Sequence, residues 1–165
     1  MKGLIFLLLL FNCLLGCNDH PAFKTGLEGK LMPSFNLLLM DSTSRLNTNS
    51  IPGGQPIILL YFSPNCPYCR AQIQEIISDI KSLSNIQFYI LSSFPFDQIK
   101  TYYNNNQQLK RYSNITVCQD YNFYFGNYFK TNGVPYMAVY EKNKRLKQVI
   151  AGNVSTNVIK DIVHE

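Results

Sequence analysis

Two cysteines three positions apart, in the run Cys66-Pro67-Tyr68-Cys69, carry the most reactive side-chain pairing in this 165-residue sequence. Such a pair can exchange disulfides, supply half of a zinc site, or staple a short loop. Zinc wants four ligands, and structural sites often draw on a second cysteine pair. Beyond this pair lie only Cys118, His20 and His164, together with Cys13 and Cys17 close to the N-terminus. A purely structural bridge across so short a loop adds little by chain entropy. Redox exchange is the favoured reading. It needs one sulfur that ionises readily, because the thiolate is the nucleophile, and a second thiol close enough to resolve the mixed disulfide that forms.

The elements around the pair suit that division. Ile57-Ile58-Leu59-Leu60-Tyr61-Phe62 is apolar throughout, as a central strand covered on both faces should be. Ser63-Pro64-Asn65 ends it, and a helix is expected from about Pro67. Ile73, Ile76, Ile77, Ile80 and Leu83 recur at helical spacing and form one buried stripe. Gln72, Gln74, Glu75, Asp79 and Lys81 fall mostly on the opposite face. Cys66 then sits just past the strand, where helix-start N–H groups and the helix dipole stabilise a thiolate. Cys69 falls in the first turn as the resolving thiol. Pro67 suits that turn because its missing N–H has no partner to lose there. Tyr68 supplies an aromatic wall beside the sulfurs.

Further strands are expected near Ser34–Leu39, Ile86–Leu91, Ile115–Cys118, Tyr136–Tyr140 and Arg145–Ile150, and further helices over Asp97–Asn105, Tyr121–Phe129 and the C-terminal Val154–Ile162 stretch. Asp41–Gln55, rich in Ser, Asn, Thr and Gly, reads as a loop with at most a short turn. Strands alternating with helices imply a mostly parallel central sheet with helices on both faces and an antiparallel hairpin at one edge. Cys118, with Ile115 and Val117 beside it, reads as a small buried hydrophobe dispensable for chemistry. Asp120 reads as a turn or cap residue. The cluster Lys142, Lys144, Arg145 and Lys147 reads as a solvated turn.

The N-terminus carries an address. Met1-Lys2 followed by the apolar run Leu4–Phe11 is too short to span a bilayer and ends in small and polar residues, as a secretory signal does. Leu14-Leu15-Gly16-Cys17 resembles the bacterial lipobox. That resemblance implies a signal peptide over residues 1–16, lipid attachment at Cys17, a tether over residues 17–31, and one domain over residues 32–165. It places the protein outside the cytoplasm on a bacterial membrane, at the periplasmic face or the cell surface, where disulfides form and persist. The formal net charge is +5, but the positive residues are mostly scattered and no nucleic-acid motif accompanies them. No nucleic-acid partner, metal or cofactor is expected.

The run from Gly54 through Cys69, the segment Gly133-Val134-Pro135-Tyr136 and Gly152 together resemble the thioredoxin-like superfamily, nearest its extracytoplasmic thiol–disulfide oxidoreductase branch. The resemblance spans roughly Pro33–Glu165. It implies an α/β thioredoxin-like fold with a mixed central β-sheet flanked by helices on both faces. It also implies a reversible Cys66–Cys69 disulfide, a cis Pro135 facing Cys66, and a Val134 backbone offered, with Tyr68, to an incoming peptide. Clients would be exported proteins with thiols or disulfides, and a membrane redox partner would complete the cycle. A dedicated reductant of apocytochrome thiols, or a redox-silent binding module on the same fold, are the rival readings. The chain departs from the family pattern where Asn65 replaces the usual Trp before the first cysteine. It departs again at Leu60, where many thioredoxins bury an acid beneath the second cysteine. Glu75, on the outward face, is not a substitute for that acid.

Overall fold

A computed structural model describes residues 24–164. The expected signal peptide, Cys17 and the first part of the expected tether lie outside the described residues. The strands are β1 (Asn36–Leu39), β2 (Arg45–Asn47), β3 (Ile57–Tyr61), β4 (Gln87–Ser92), β5 (Ile115–Gln119), β6 (Tyr136–Tyr140) and β7 (Leu146–Ala151). The helices are α1 (Pro67–Ser78), α2 (Phe96–Asn105), α3 (Tyr124–Phe129) and α4 (Thr156–His164). The strands form one seven-stranded mixed sheet in the order β2-β1-β5-β4-β3-β6-β7.

The apolar β3 run is central because it is buried on both faces. Ile58 and Leu60 point into one core with Ile73, Ile76 and Ile77 of α1, Ile99 and Tyr102 of α2, and Ile159 and Ile162 of α4. Ile57 and Leu59 point into the other with Phe125 and Phe129 of α3. This strict alternation is the period-two geometry of a strand, and it confirms helices on both faces. The expected mostly parallel sheet is not what forms. Only β3–β4 and β4–β5 pair in parallel, while β1–β2, β1–β5, β3–β6 and β6–β7 are antiparallel. Alternation of strands and helices does not say which edge a strand joins. Here the chain crosses to the other face through α3 and returns on the far side of β3, running the opposite way.

Three local expectations change. The loop expected over residues 41–55 contains β2 and a 3-10 turn over Thr48–Ser50, because β1 offers its free edge to Arg45-Leu46-Asn47. Gln72 is buried rather than solvent-facing: its amide donates to the Val154 carbonyl at 3.1 Å and accepts the Val154 N–H at 2.8 Å, tying α1 to the approach to α4. The basic cluster is partly structural. Lys144 Nζ donates to the carbonyls of Thr48, Asn49 and Ile51 at 3.1, 2.9 and 3.0 Å, and Arg145 donates to the Gly29 carbonyl at 2.7 Å. Gly29, Leu31 and Met32 also lie along residues 144–146 through backbone pairing. The ammonium thus satisfies three carbonyls at the 3-10 turn that would otherwise be left to water. Lys144→Met keeps the stem and removes the donors, so it should destabilise the fold by about 2 kcal/mol, the usual range for hydrogen bonds to a charged group. Urea unfolding checks this; an unchanged midpoint would mean that water replaces the lysine at no loss.

Candidate active site

Cys66 is the N-cap of α1. Its backbone is extended, Pro67 occupies the first helical position, and the Cys69 N–H donates to Cys66 Sγ at 3.3 Å. The sequence folds this way because Pro64 and Pro67 bracket the turn and Cys66 N–H is used by the Ser63 carbonyl at 3.1 Å. Both cysteines are thiols here. They differ sharply in surroundings: Cys66 is half-buried, whereas Cys69 is 0% exposed in the core beneath it.

That difference sets their acidities. Partial burial works against ionising Cys66. It is outweighed by hydrogen bonds from the Cys69 thiol and from the backbone N–H groups of Cys69 and Tyr68, with help from the positive charge of Arg70, so the thiol is held below its ordinary value. Burial pushes Cys69 the other way, up to about 12, and the neighbouring Cys66 sulfur adds to the rise. One sulfur is thus prepared to ionise first and the other to hold its proton.

The Val134–Pro135 bond is cis, as expected, and the Cys66 thiol points at the Val134 carbonyl oxygen 3.7 Å away. The loop before β6 is therefore brought against the helix start, although 68 residues separate the two in sequence. Tyr68 is 69% exposed on the rim. Leu60, by contrast, is fully buried in the core that holds Cys69, and no acid takes its place. Glu75 is exposed, near the Thr156 N–H at 3.4 Å and away from the sulfurs.

Cys118 lies apart, fully buried in the opposite core with its thiol toward the Ile90 carbonyl at 3.9 Å. Asp120 caps α3, as expected: its carboxylate accepts the N–H groups of Tyr124 and Phe125 at 3.0 and 2.8 Å. Burial raises its pKa even so. Phe123 just before that helix takes a left-handed conformation, φ 57°, and leaves its ring 57% exposed. That turn is why the helix starts at Tyr124 rather than Tyr121.

Sequence reading missed Arg70 and Tyr102. Arg70 directly follows the second cysteine, so helix periodicity alone could have flagged its charge as adjacent to the pair. Tyr102 is 33 positions or more from the pair and gives no local signal; only the docking of α2 beside α1 brings it near.

A family model described as a thioredoxin-like domain matches residues 48–165. No curated protein matches the chain. Among solved structures, a thiol:disulfide interchange protein of the thioredoxin family from Chlorobium tepidum TLS superposes with a TM-score of 0.65 at 22% identity, covering 81% of this chain and 93% of that one. StoA from Bacillus subtilis gives 0.62 at 10% identity over 79% and 96%. A secreted disulfide oxidoreductase of Mycobacterium tuberculosis gives 0.63 at 13% identity over 79% and 94%. At these identities the likeness is one of fold.

Proposed function

The chain belongs to the thioredoxin-like domain family, and we propose that within it the protein is a thiol–disulfide oxidoreductase acting on exported proteins. The observation that carries this reading is the split environment of the pair: Cys66 sits at the start of α1 with an N–H aimed at its sulfur, and Cys69 is buried directly behind it. In the reducing direction, the Cys66 thiolate attacks a client disulfide. One client sulfur leaves and takes a proton, and the other stays bonded to Cys66. The Cys69 thiolate then attacks Cys66 Sγ, expels the second client sulfur, and closes the Cys66–Cys69 disulfide. Two electrons pass from the dithiol to the client. The oxidising direction is the same path in reverse.

Tyr68, Val134 and Pro135 are the client-facing residues in this reading. Proline offers no N–H, so the loop that leads into β6 has one donor fewer to pair beside Cys66, and Val134 supplies the backbone offered to an incoming chain. Export and lipid attachment at Cys17 would keep the domain outside the cytoplasm, where a membrane redox partner would reset the pair. Solved structures of the same fold bearing disulfide-exchange names, at low identity, agree with this reading without carrying it.

The test is a redox titration of the full chain in dithiothreitol or glutathione buffers, read by alkylation and mass. A two-electron transition confined to Cys66 and Cys69 is expected, at a potential within roughly −270 to −120 mV, the span that separates reductants from oxidants in this fold. A pair that does not cycle would overturn the proposal in favour of a redox-silent binding module.

A further inference from the structure

A cleft of about 660 Å³ opens between the turn that leads into α1 and the length of α2. Its lining includes Asn65, Arg70, Asp97, Gln98 and Tyr102. Asn65 precedes the first cysteine and Arg70 follows the second, so the cleft adjoins the turn that carries the redox pair, while neither cysteine is part of its lining. We infer, on the premise of the exchange chemistry proposed above, that this cleft is a subsite for a small zwitterionic disulfide of the amino-acid type, with Arg70 facing its carboxylate and Asp97 its ammonium group.

Three observations point this way. First, the cleft holds one positive and one negative side chain that do not neutralise each other. Among the described residues the ion pair present is Lys160–Asp79 at 2.8 Å, elsewhere on the surface. Arg70 spends one N–H on the Pro64 carbonyl at 3.2 Å, which anchors the guanidinium and leaves the rest of its fork for a ligand. Second, Tyr102 is 7% exposed, packs its ring against Phe62 at 5.3 Å, and has a hydroxyl with no hydrogen-bond partner. Tyr136 and Tyr140 in the opposite core also have hydroxyls without partners, but of the three it is Tyr102 that lines this cleft, where a ligand group can meet it. Tyr102 lines the cleft together with Arg70 and shares a core with Cys69. Third, most of the side chains that line the cleft are polar or charged, although its surface is about as apolar as polar. The exposed large apolar side chains are Leu31, Tyr68 and Phe123, and none of them lines this cleft. Protein interfaces centre on aromatic and apolar anchors, whereas a cleft of this volume with a few convergent polar groups is of small-ligand size.

The step balances without any further reactant. The Cys66 thiolate attacks one sulfur of the bound disulfide and releases the first amino-acid thiol. Cys69 displaces the second from Cys66. The dithiol gives up two electrons and two protons, and the disulfide becomes two thiols.

The experiment follows oxidation of the reduced full chain by three disulfides: zwitterionic L-cystine, dicationic cystamine and neutral 2-hydroxyethyl disulfide. Intrinsic differences between their leaving groups cancel when each variant is compared with wild type. Arg70→Gln should lower the second-order rate with L-cystine relative to 2-hydroxyethyl disulfide by about tenfold, the worth of one charged hydrogen bond, and leave the cystamine ratio unmoved. Asp97→Asn should lower both the L-cystine and the cystamine ratios. Tyr102→Phe should lower the L-cystine ratio; a hydroxyl that is merely unsatisfied would instead give a more stable protein with unchanged ratios. Ratios that stay at the wild-type value in all three variants would overturn the subsite while the exchange reading stands. A wild-type dithiol that reduces none of the three would defeat the exchange reading as well.

Discussion

Cys69→Ser should accumulate covalent mixed disulfides between Cys66 and its clients, and Cys66→Ser should accumulate few and turn over none. The argument runs from the geometry of the helix start. A serine at position 69 keeps the backbone N–H that Cys66 Sγ accepts at 3.3 Å, and its hydroxyl replaces the Cys69 thiol as a neighbouring donor. The nucleophile therefore keeps its stabilised thiolate and still attacks. What is lost is the buried sulfur that would attack Cys66 Sγ from behind, so the reaction stalls after one exchange. In Cys66→Ser the remaining thiol is fully buried and pushed up to about 12, so at neutral pH it is neither reachable nor ionised. The measurement is non-reducing electrophoresis of each variant after exposure to exported proteins of a bacterial host, with Cys66 confirmed by mass as the linked residue. Alkylation should follow the same order, Cys66 reacting at a pH below the ordinary cysteine value of about 8.5 and Cys69 staying unreacted. Trapping by Cys66→Ser instead would exchange the two roles. Leu60 bears on the rate: with no acid beneath Cys69, the second exchange has no buried base to take its proton.

The site was legible in the sequence to the extent that it is local. Cys66, Pro67 and Cys69 lie within one turn, and an apolar strand, a breaker and a helix stripe place that turn without reference to anything distant. The cis bond at Pro135 was implied by family resemblance, not by composition or periodicity, since a proline at the start of a strand reads the same in either isomer. What stayed hidden depends on partners far along the chain. Arg45-Leu46-Asn47 has no apolar alternation and becomes a strand only because β1 leaves an edge free. Gln72 belongs by type on the wet face of α1, and it is buried because the Val154 backbone arrives with one donor and one acceptor to match its amide. Lys144 looks solvated until the 3-10 turn and its C-cap Ile51, 93 to 96 residues earlier, present three carbonyls to it. Parallel and antiparallel pairing are hidden for a related reason: the order of elements specifies connections, while the side on which β6 docks depends on which face α3 covers.

Replacing the third described cysteine, Cys118→Val, should leave disulfide exchange intact and flatten the alkaline loss of stability of the reduced protein. Cys118 is fully buried, and burial holds its thiol far above the ordinary value, with the Asp120 carboxylate adding to the rise. In the unfolded chain the same thiol ionises near 8.5. Above that pH the native state keeps a proton that the unfolded state has lost, so stability falls as pH rises and goes on falling until the folded thiol itself ionises. Cys69 contributes with the same sign up to about 12. Cys66 has the opposite sign, because its folded thiol ionises before the unfolded one; it adds stability as pH climbs through its lowered value toward 8.5. Valine is close to cysteine in size and apolar, so the core around Ile90 and Leu91 should accept it. Each fully mismatched proton contributes about 1.4 kcal/mol per pH unit, so between pH 8 and 10 the wild type should lose about 2 kcal/mol more than Cys118→Val in urea unfolding under reducing conditions. The tyrosines that burial also shifts upward, Tyr102 and Tyr140 among them, titrate in both proteins and cancel in the difference. Parallel stability curves would mean that Cys118 ionises in place and is not sealed in the core. A valine variant that folds normally yet fails to cycle would make Cys118 a third member of the thiol relay, in spite of its position on the face of the sheet opposite Cys69.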